Sequence, residues 1–344
     1  MKIGSVQLSS PFVVSPMAGM TDTAFRRLVK RQGGCGLVVS EMVSSEGLVR
    51  GIDRTLEYAE YTEEERPVSI QIFGGEPARM AEAARVVEGM GANIVDVNMG
   101  CPVPKIAKHN AGCSLMREPA HAAEIIAAMT RAVTIPVTVK MRKGWNDDEV
   151  NAPELARRVE GAGAAAIAVH GRTAKQSYSG TADWDIVAGI AQSVKIPVFG
   201  SGDCVEPEDI VARMQQGVSG VFVGRGVLRN PWILAQAQDL MDGRPKRDVS
   251  RAERGQFLLD YMSLLLSDGD EAEGFRHSAQ SPEPGAQSRP AIGRDRWVIN
   301  KLRALCTYYT KGFEGGAQFR IGVNSAKSIA EVEALISDFF QSHR

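Results

Sequence analysis

The sequence predicts an α/β protein, a (β/α)8 TIM barrel with a small C-terminal all-α helical domain. Three observations carry this: eight short β-branched apolar runs, helical patterns between most of them, and a change of rhythm after Pro231-Trp232. The chain has 344 residues, whereas a barrel alone takes about 250. The division falls at a catalytic barrel over 1–243 and a helical domain over 244–344.

Bulk properties remove several classes. A formal net charge of -1 excludes a uniformly basic nucleic-acid binder while leaving room for a local basic face. No apolar run is long enough to cross a bilayer, and the N-terminus lacks the apolar segment of a signal peptide. A soluble cytoplasmic protein with no membrane partner is expected, and nothing calls for an obligate protein partner. The five cysteines are widely spaced with no C-x-x-C pair, so no disulfide and no metal site are expected.

In chain order the first four strands are expected at 11–16, 36–41, 67–73 and 93–98, and the last four at 136–141, 165–170, 196–201 and 220–224. Helical spacing over 76–88 and 151–160 supports the strand–helix alternation, and the link from Ser40 to Pro67 is the least regular. Each strand ends in a polar or glycine-rich tail, where a barrel places its active-site loops.

The first tail, S-P-M-A-G-M-T-D, is either a plain turn or one that brings the backbone of Pro16 to Gly19 close to a flat ligand, before Thr21 or Asp22 caps a helix. Gln71 lies inside an apolar run, so its amide needs a partner, either a cofactor edge or another buried polar group. Lys140 in V-T-V-K-M-R is costly to desolvate unless it meets an anion, either a ligand such as a reduced flavin or an internal carboxylate. His170 ends the sixth strand and is a candidate donor to a phosphate or carbonyl, or a structural histidine.

The turns F-G-S-G-D and V-G-R-G after strands seven and eight put Ser201, Gly202, Asp203, Gly224 and Arg225 where barrels bind phosphate, a reading favoured over simple packing turns. Cys101 lies three residues beyond Asn98 in a loop stiffened by Pro102 and Pro104. A free thiol titrates near ~8.5 and is mostly protonated at neutral pH, so it suits a proton donor. The buried apolar reading fits Cys35, Cys204 and Cys306 better.

Taken in order, S-P-M-A-G-M-T-D, Q-I-F-G, V-N-M-G-C-P, A-G-C-S-L-M, V-K-M-R-K-G-W, V-H-G-R-T, Y-S-G-T-A-D-W, G-S-G-D and V-G-R-G…N-P-W-I resemble the tRNA-dihydrouridine synthases, specifically the bacterial B-type. The resemblance spans almost the whole chain. It implies FMN across the barrel mouth: Pro16, Met17 and Ala18 against the ring, Gln71 and Lys140 at its polar edges, and Ser201 to Asp203, Gly224 and Arg225 around the phosphate. Cys101 matches the catalytic acid, and Asn98 and His170 match contacts to uracil or flavin. The implied cycle is reduction of FMN by NADPH or NADH, hydride transfer to C6 of a uracil in the tRNA D-loop, and protonation at C5 by Cys101. Ser201 departs from the usual Asn of N-G-D, and Asn110 stands where glycine is common. Asn tolerates left-handed backbone.

From 251 onward, helices are expected over 251–266, near 292–311 and near 325–340. A polar, Pro/Gly-rich stretch over 268–295 reads as a mobile insertion. From Arg294 to Lys327, seven Lys or Arg face two acids, a balance that, given the resemblance, implies a tRNA-binding face including Lys301 and Arg303. Trp297, Tyr308 and Tyr309 either stack on bases or form core. Lys105 and Lys108 are further candidates for phosphate contact. Two alternatives remain at this stage: an FMN barrel acting on a small molecule, such as a dihydroorotate-type dehydrogenase, and a non-enzymatic RNA-binding protein.

Overall fold

The computed structural model describes residues 1–107, 110–271 and 291–341. Lys108 and most of the 268–295 stretch lie outside the described residues. All eight expected strands form: β1 (Phe12–Val14), β2 (Leu37–Val39), β3 (Val68–Phe73), β4 (Ile94–Met99), β5 (Val137–Gly144), β6 (Ala166–Thr173), β7 (Val198–Ser201) and β8 (Gly220–Val223). They pair in parallel in sequence order, and β8 closes on β1 through Val223 opposite Val14. Their β-branched runs suit strands covered on both faces.

The outer face is covered by helices α1 (Thr23–Gln32), α2 (Pro77–Gly89), α3 (Pro119–Ala132), α4 (Ala152–Gly161), α5 (Trp184–Ser193), α6 (Pro207–Met214) and α7 (Ile233–Met241). Pro at the first turn of α2, α3, α4 and α6 suits a position whose N–H would be orphaned anyway. The irregular Ser40–Pro67 link holds a two-residue strand at Val43–Ser44 and short helical turns.

Strand parity separates two environments. Val95, Val97, Val139, Met141, Ile167 and Val169 point out into the helix layer and are fully buried there. The alternate residues point into the lumen. Its lower half is apolar: Val13, Leu37, Val39, Ile94, Ala166, Ala168, Phe199 and Phe222, closed beneath by Ile3 and Leu8 around the hairpin Lys2–Ile3/Val6–Gln7. Above that plug the same parity continues as Gln71, Asp96, Asn98, Lys140, Arg142, His170, Arg172 and Ser201, so the lumen turns polar toward the C-terminal strand ends.

Among the described residues four helices follow, α8 (Arg251–Glu271), α9 (Ala291–Tyr309), α10 (Gly316–Ser325) and α11 (Ile329–Gln341). The sequence reading lacked α10, because G-A-Q-F-R-I-G-V-N-S carries two glycines and a poor helical pattern. Tertiary partners form it: Phe319 stacks on Phe339 at 4.6 Å. The helical region shares one continuous apolar cluster with the barrel's helix layer. Phe25 of α1 meets Phe257 and Tyr261 of α8 edge-on at 6.1 and 6.2 Å. Tyr309 is buried and stacks on Phe257 at 5.7 Å, so it is core, and Trp297 and Tyr308 pack against the same cluster.

Candidate active site at the barrel mouth

The polar half of the lumen is built on Asp96. Its two carboxylate oxygens accept from Thr138 Oγ1 at 2.6 Å and Gln71 Nε2 at 2.7 Å. Gln71 in turn accepts from Asn98 Nδ2 at 2.7 Å, and Asn98 Oδ1 accepts the backbone N–H of Gly100 at 3.1 Å and Cys101 at 2.9 Å. The amide of Gln71 therefore has internal partners, the second of the two readings its apolar surroundings left open.

Lys140 stands opposite Asn98 in the register and is half-buried. Among the described residues no hydrogen bond or ion pair engages its ammonium within the protein, although Asp96 is near enough to act on it. Burial, then Arg142, depresses Lys140 to about 8, while Asp96 pulls the other way. Burial pushes Asp96 up to about 6, against Thr138, Gln71 and Lys140. Asp96 already accepts from two donors, and the Lys140 ammonium has no hydrogen-bond acceptor among the described residues.

Cys101 sits on the turn after β4, and burial pushes its thiol above its ordinary value, against the Val103 amide and Arg142. It is protonated at neutral pH, as a proton donor requires. The turn is tightly specified. Asn110 takes a φ of 48°, within reach of asparagine, and Gly112 takes 62°. A Cβ at Gly112 would lie 2.7 Å from the Cys101 carbonyl oxygen, and Cys113 N–H donates to that oxygen at 3.0 Å. Arg142 ties this turn to the loop after β6: Nε donates to Gly100 O at 2.9 Å, and Nη1 to Thr173 O at 2.9 Å and Ser177 O at 3.1 Å. The other four cysteines are buried, and burial drives their thiols up to between about 11 and about 12.

His170 is held far below its ordinary value by burial and then by Lys140, Arg142, Arg172 and Arg225, so it is neutral. Ser201 pairs with it in register. Asp203, at φ 56°, is occupied by Arg172, whose Nη2 reaches its two oxygens at 2.8 and 2.9 Å. Arg225 lies 3.8 Å from Asp203 and stacks over Tyr178 at 4.6 Å. Nη1 of the buried Arg172 has no partner among the described residues. Gly224 is open: a Cβ there would meet only Met17 Sδ at 3.5 Å and Ser15 at 3.8 Å. The rim at Pro16, Met17 and Ala18 is half-exposed or exposed beside it.

Lys301 and Arg303, expected on an RNA-facing surface, are placed otherwise. Lys301 is only 14% exposed and pairs with Asp22 at 2.9 Å and Glu41 at 3.8 Å, donating also to Gly19 O at 3.0 Å. Arg303 donates to Val323 O at 3.1 Å and Ala326 O at 2.8 Å, satisfying carbonyls at the end of α10. Arg296, Lys311 and Lys327 remain exposed. The sequence reading passed over Asp96, Arg142 and Arg172. Each lies two residues from a residue it did single out, Asn98, Lys140 and His170, and period-two parity on a barrel strand could have found them.

An apolar floor, a cation-lined polar mouth and a turn-borne thiol, all at the C-terminal strand ends, define a (β/α)8 barrel enzyme. The dihydrouridine synthase (Dus) family model matches residues 13–287. A probable tRNA-dihydrouridine synthase of Rickettsia conorii is 38% identical over 99% of this chain and 96% of its own, and tRNA-dihydrouridine synthase B of Shewanella oneidensis is 35% identical over 99% and 98%. The chain belongs to the dihydrouridine synthase family. Among solved structures, FabK from Thermotoga maritima is 18% identical with a TM-score of 0.40, covering 65% of this chain and 61% of that one.

Proposed function

We propose that the protein is an FMN-dependent tRNA-dihydrouridine synthase that reduces the C5–C6 bond of uridines in the tRNA D-loop, using NADPH or NADH. The observation that carries the reading is Lys140, a half-buried ammonium with no internal hydrogen bond among the described residues, beside a protonated thiol turn. Such a cation needs an acceptor from a ligand.

The residues present fit a flavin mononucleotide. Pro16, Met17 and Ala18 would lie against the ring, with Lys140 at its polar edge; the Gln71 amide, engaged at both ends by Asp96 and Asn98, would support that edge without contacting it. Ser201, Gly202, Asp203, Gly224 and Arg225 would surround the phosphate. The orphaned Arg172 nitrogen and the open Gly224 mark unfilled donor capacity and space there. Asp203 contributes its backbone, since its carboxylate is neutralised by Arg172. When bound, FMN supplies the hydride.

Cys101 holds the proton for C5 of the uracil, and the amide chain from Asp96 fixes its turn. Asn98 and neutral His170 offer hydrogen bonds to the base or ring without adding charge. A stacked uracil cannot reach the mouth, so the nucleotide must be turned out and the tRNA body held elsewhere. Among the described residues, the exposed Arg296, Lys311 and Lys327 of the helical region, with Lys105 beside the Cys101 turn, are cations available for phosphate.

The test is incubation of the purified protein with NADPH and unmodified tRNA, mapping dihydrouridine by mass spectrometry. Product at D-loop uridines is expected, with Cys101→Ala still yellow and reducible but nearly inactive. Absence of product from any tRNA would favour a small-molecule substrate.

A further inference from the structure

We propose that Asp96 is a positioning residue for Cys101: its acceptor-only carboxylate sets the direction of a hydrogen-bond chain that ends on the Cys101 backbone amide. The functional consequence rests on the reading of Cys101 as proton donor given above.

Direction is the issue because an amide side chain is ambidentate. Gln71 and Asn98 each carry a carbonyl oxygen and an NH2 at nearly equal volume, and only their surroundings choose between the two orientations. An ionised carboxylate cannot donate, so Gln71 must turn its NH2 toward Asp96 (Nε2 to Oδ2, 2.7 Å). Its oxygen then faces Asn98 and takes Nδ2–H at 2.7 Å. That choice leaves Asn98 Oδ1 toward the turn, where it receives the N–H of Cys101 at 2.9 Å and of Gly100 at 3.1 Å.

If Asn98 were reversed, its NH2 would face the Gly100 and Cys101 N–H groups, and both part-buried backbone donors would lose their acceptor. The strands hold the chain in place: Gln71 and Asp96 are cross-strand neighbours, Asn98 follows two residues along the same strand, and Gln71 N–H is pinned by Ser40 Oγ at 3.0 Å. Thr138 fills the other carboxylate oxygen. The charged group facing Asp96 is Lys140, which favours the ionised form, so the carboxylate persists at neutral pH although burial raises it to about 6.

The test uses the flavin-loaded protein and backbone amide hydrogen exchange resolved to the segment holding Gly100 and Cys101. An amide in place of the carboxylate lets the chain run either way, so Asp96→Asn should speed exchange there by roughly two- to tenfold, the worth of one neutral hydrogen bond. Exchange in β6 should be unchanged. Adding Gln71→Glu to Asp96→Asn moves the acceptor-only group one link along, where it still receives Asn98 Nδ2–H, and should restore protection. Should Asp96→Asn not fold, Gln71→Met cuts the chain at the next link and should expose the same amides.

In turnover, Asp96→Asn should lower kcat for tRNA while the rate of flavin reduction by NADPH stays at the parent value. Unchanged protection in the variants, acceleration spread evenly over the barrel, or no restoration in the double variant overturns the proposal. Normal product from Cys101→Ala would instead overturn the proton-donor reading and leave the chain to be decided by exchange alone.

Discussion

Lys301 reaches from α9 to the first barrel loop and holds two carboxylates, so its removal should weaken the junction between the helical region and the barrel. Asp22 caps α1 through Phe25 N–H and also accepts from Tyr261 Oη at 2.8 Å; Glu41 accepts from Gly19 N–H. The side chains of Lys301, Asp22 and Glu41 are 14%, 15% and 6% exposed, so little solvent is available to replace the lost ammonium. Breaking a buried pair costs about 3–5 kcal/mol. The remaining donors to Asp22 and Glu41 reduce this, and Lys301→Met should lose about 2–3 kcal/mol, read as a fall in the urea midpoint of about 1 M.

The pH dependence has a definite sign. Glu41 is already raised by burial, against Lys301 and the Gly19 amide, and without Lys301 it should rise further. A carboxyl raised on folding binds more protons in the native state, so the variant should regain stability as pH falls through the folded value of Glu41. Combining Lys301→Met with Glu41→Gln should cost less than the sum of the two single changes. Strict additivity, or a single-variant loss below about 0.5 kcal/mol, the range of ordinary surface substitutions, would refute the buried-latch account. A reduced salt slope of tRNA binding in Lys301→Met would return this residue to the RNA surface.

Further outcomes follow from Lys140, Gly112 and Arg303. The Lys140 ammonium is present below about 8 and lost as pH rises through that value, so turnover should decline above it, and a flat profile in the parent between pH 7 and 9.5 would separate catalysis from this charge. Below that pH the same charge costs stability, because the unfolded lysine binds its proton more readily, and the cost should fade as pH rises toward 10.5. Gly112→Ala should lose about 1–2 kcal/mol from left-handed backbone alone, with added displacement of the Cys101 turn; parental stability together with parental alkylation of Cys101 would contradict the 2.7 Å approach. Arg303→Ala should fray the end of α10 and cost about 1.5–3 kcal/mol, seen as faster amide exchange near Ala326 with exchange in the barrel strands unchanged.

Much of the mouth was legible in the chain because barrel strands alternate. Once V-T-V-K-M-R is a strand with Val139 outward, Lys140 must face the lumen, and Arg142 shares its side. The same parity joins Asn98 to Asp96 and His170 to Arg172. The helical region was less legible: α10 has a weak pattern of its own, and partners from α9 and α11 make it a helix. Charge counting over 294–327 could not distinguish the exposed Lys311 from the largely enclosed, ion-paired Lys301, since both are single lysines on otherwise mixed segments.

The sequence by itself determined the eight-strand order and the rim position of Cys101, because each depends on local period or connection order. Only the tertiary structure decided what each charge meets. Lys301 finds Asp22 and Glu41, Arg172 takes up the Asp203 carboxylate, and Gln71 joins Asp96 to Asn98. Such pairings join residues as far as 282 positions apart, as in Lys301 and Gly19. The free energy of a buried charge is set by the partners and solvent around it, and those are assembled by the closed barrel and the helices packed against it.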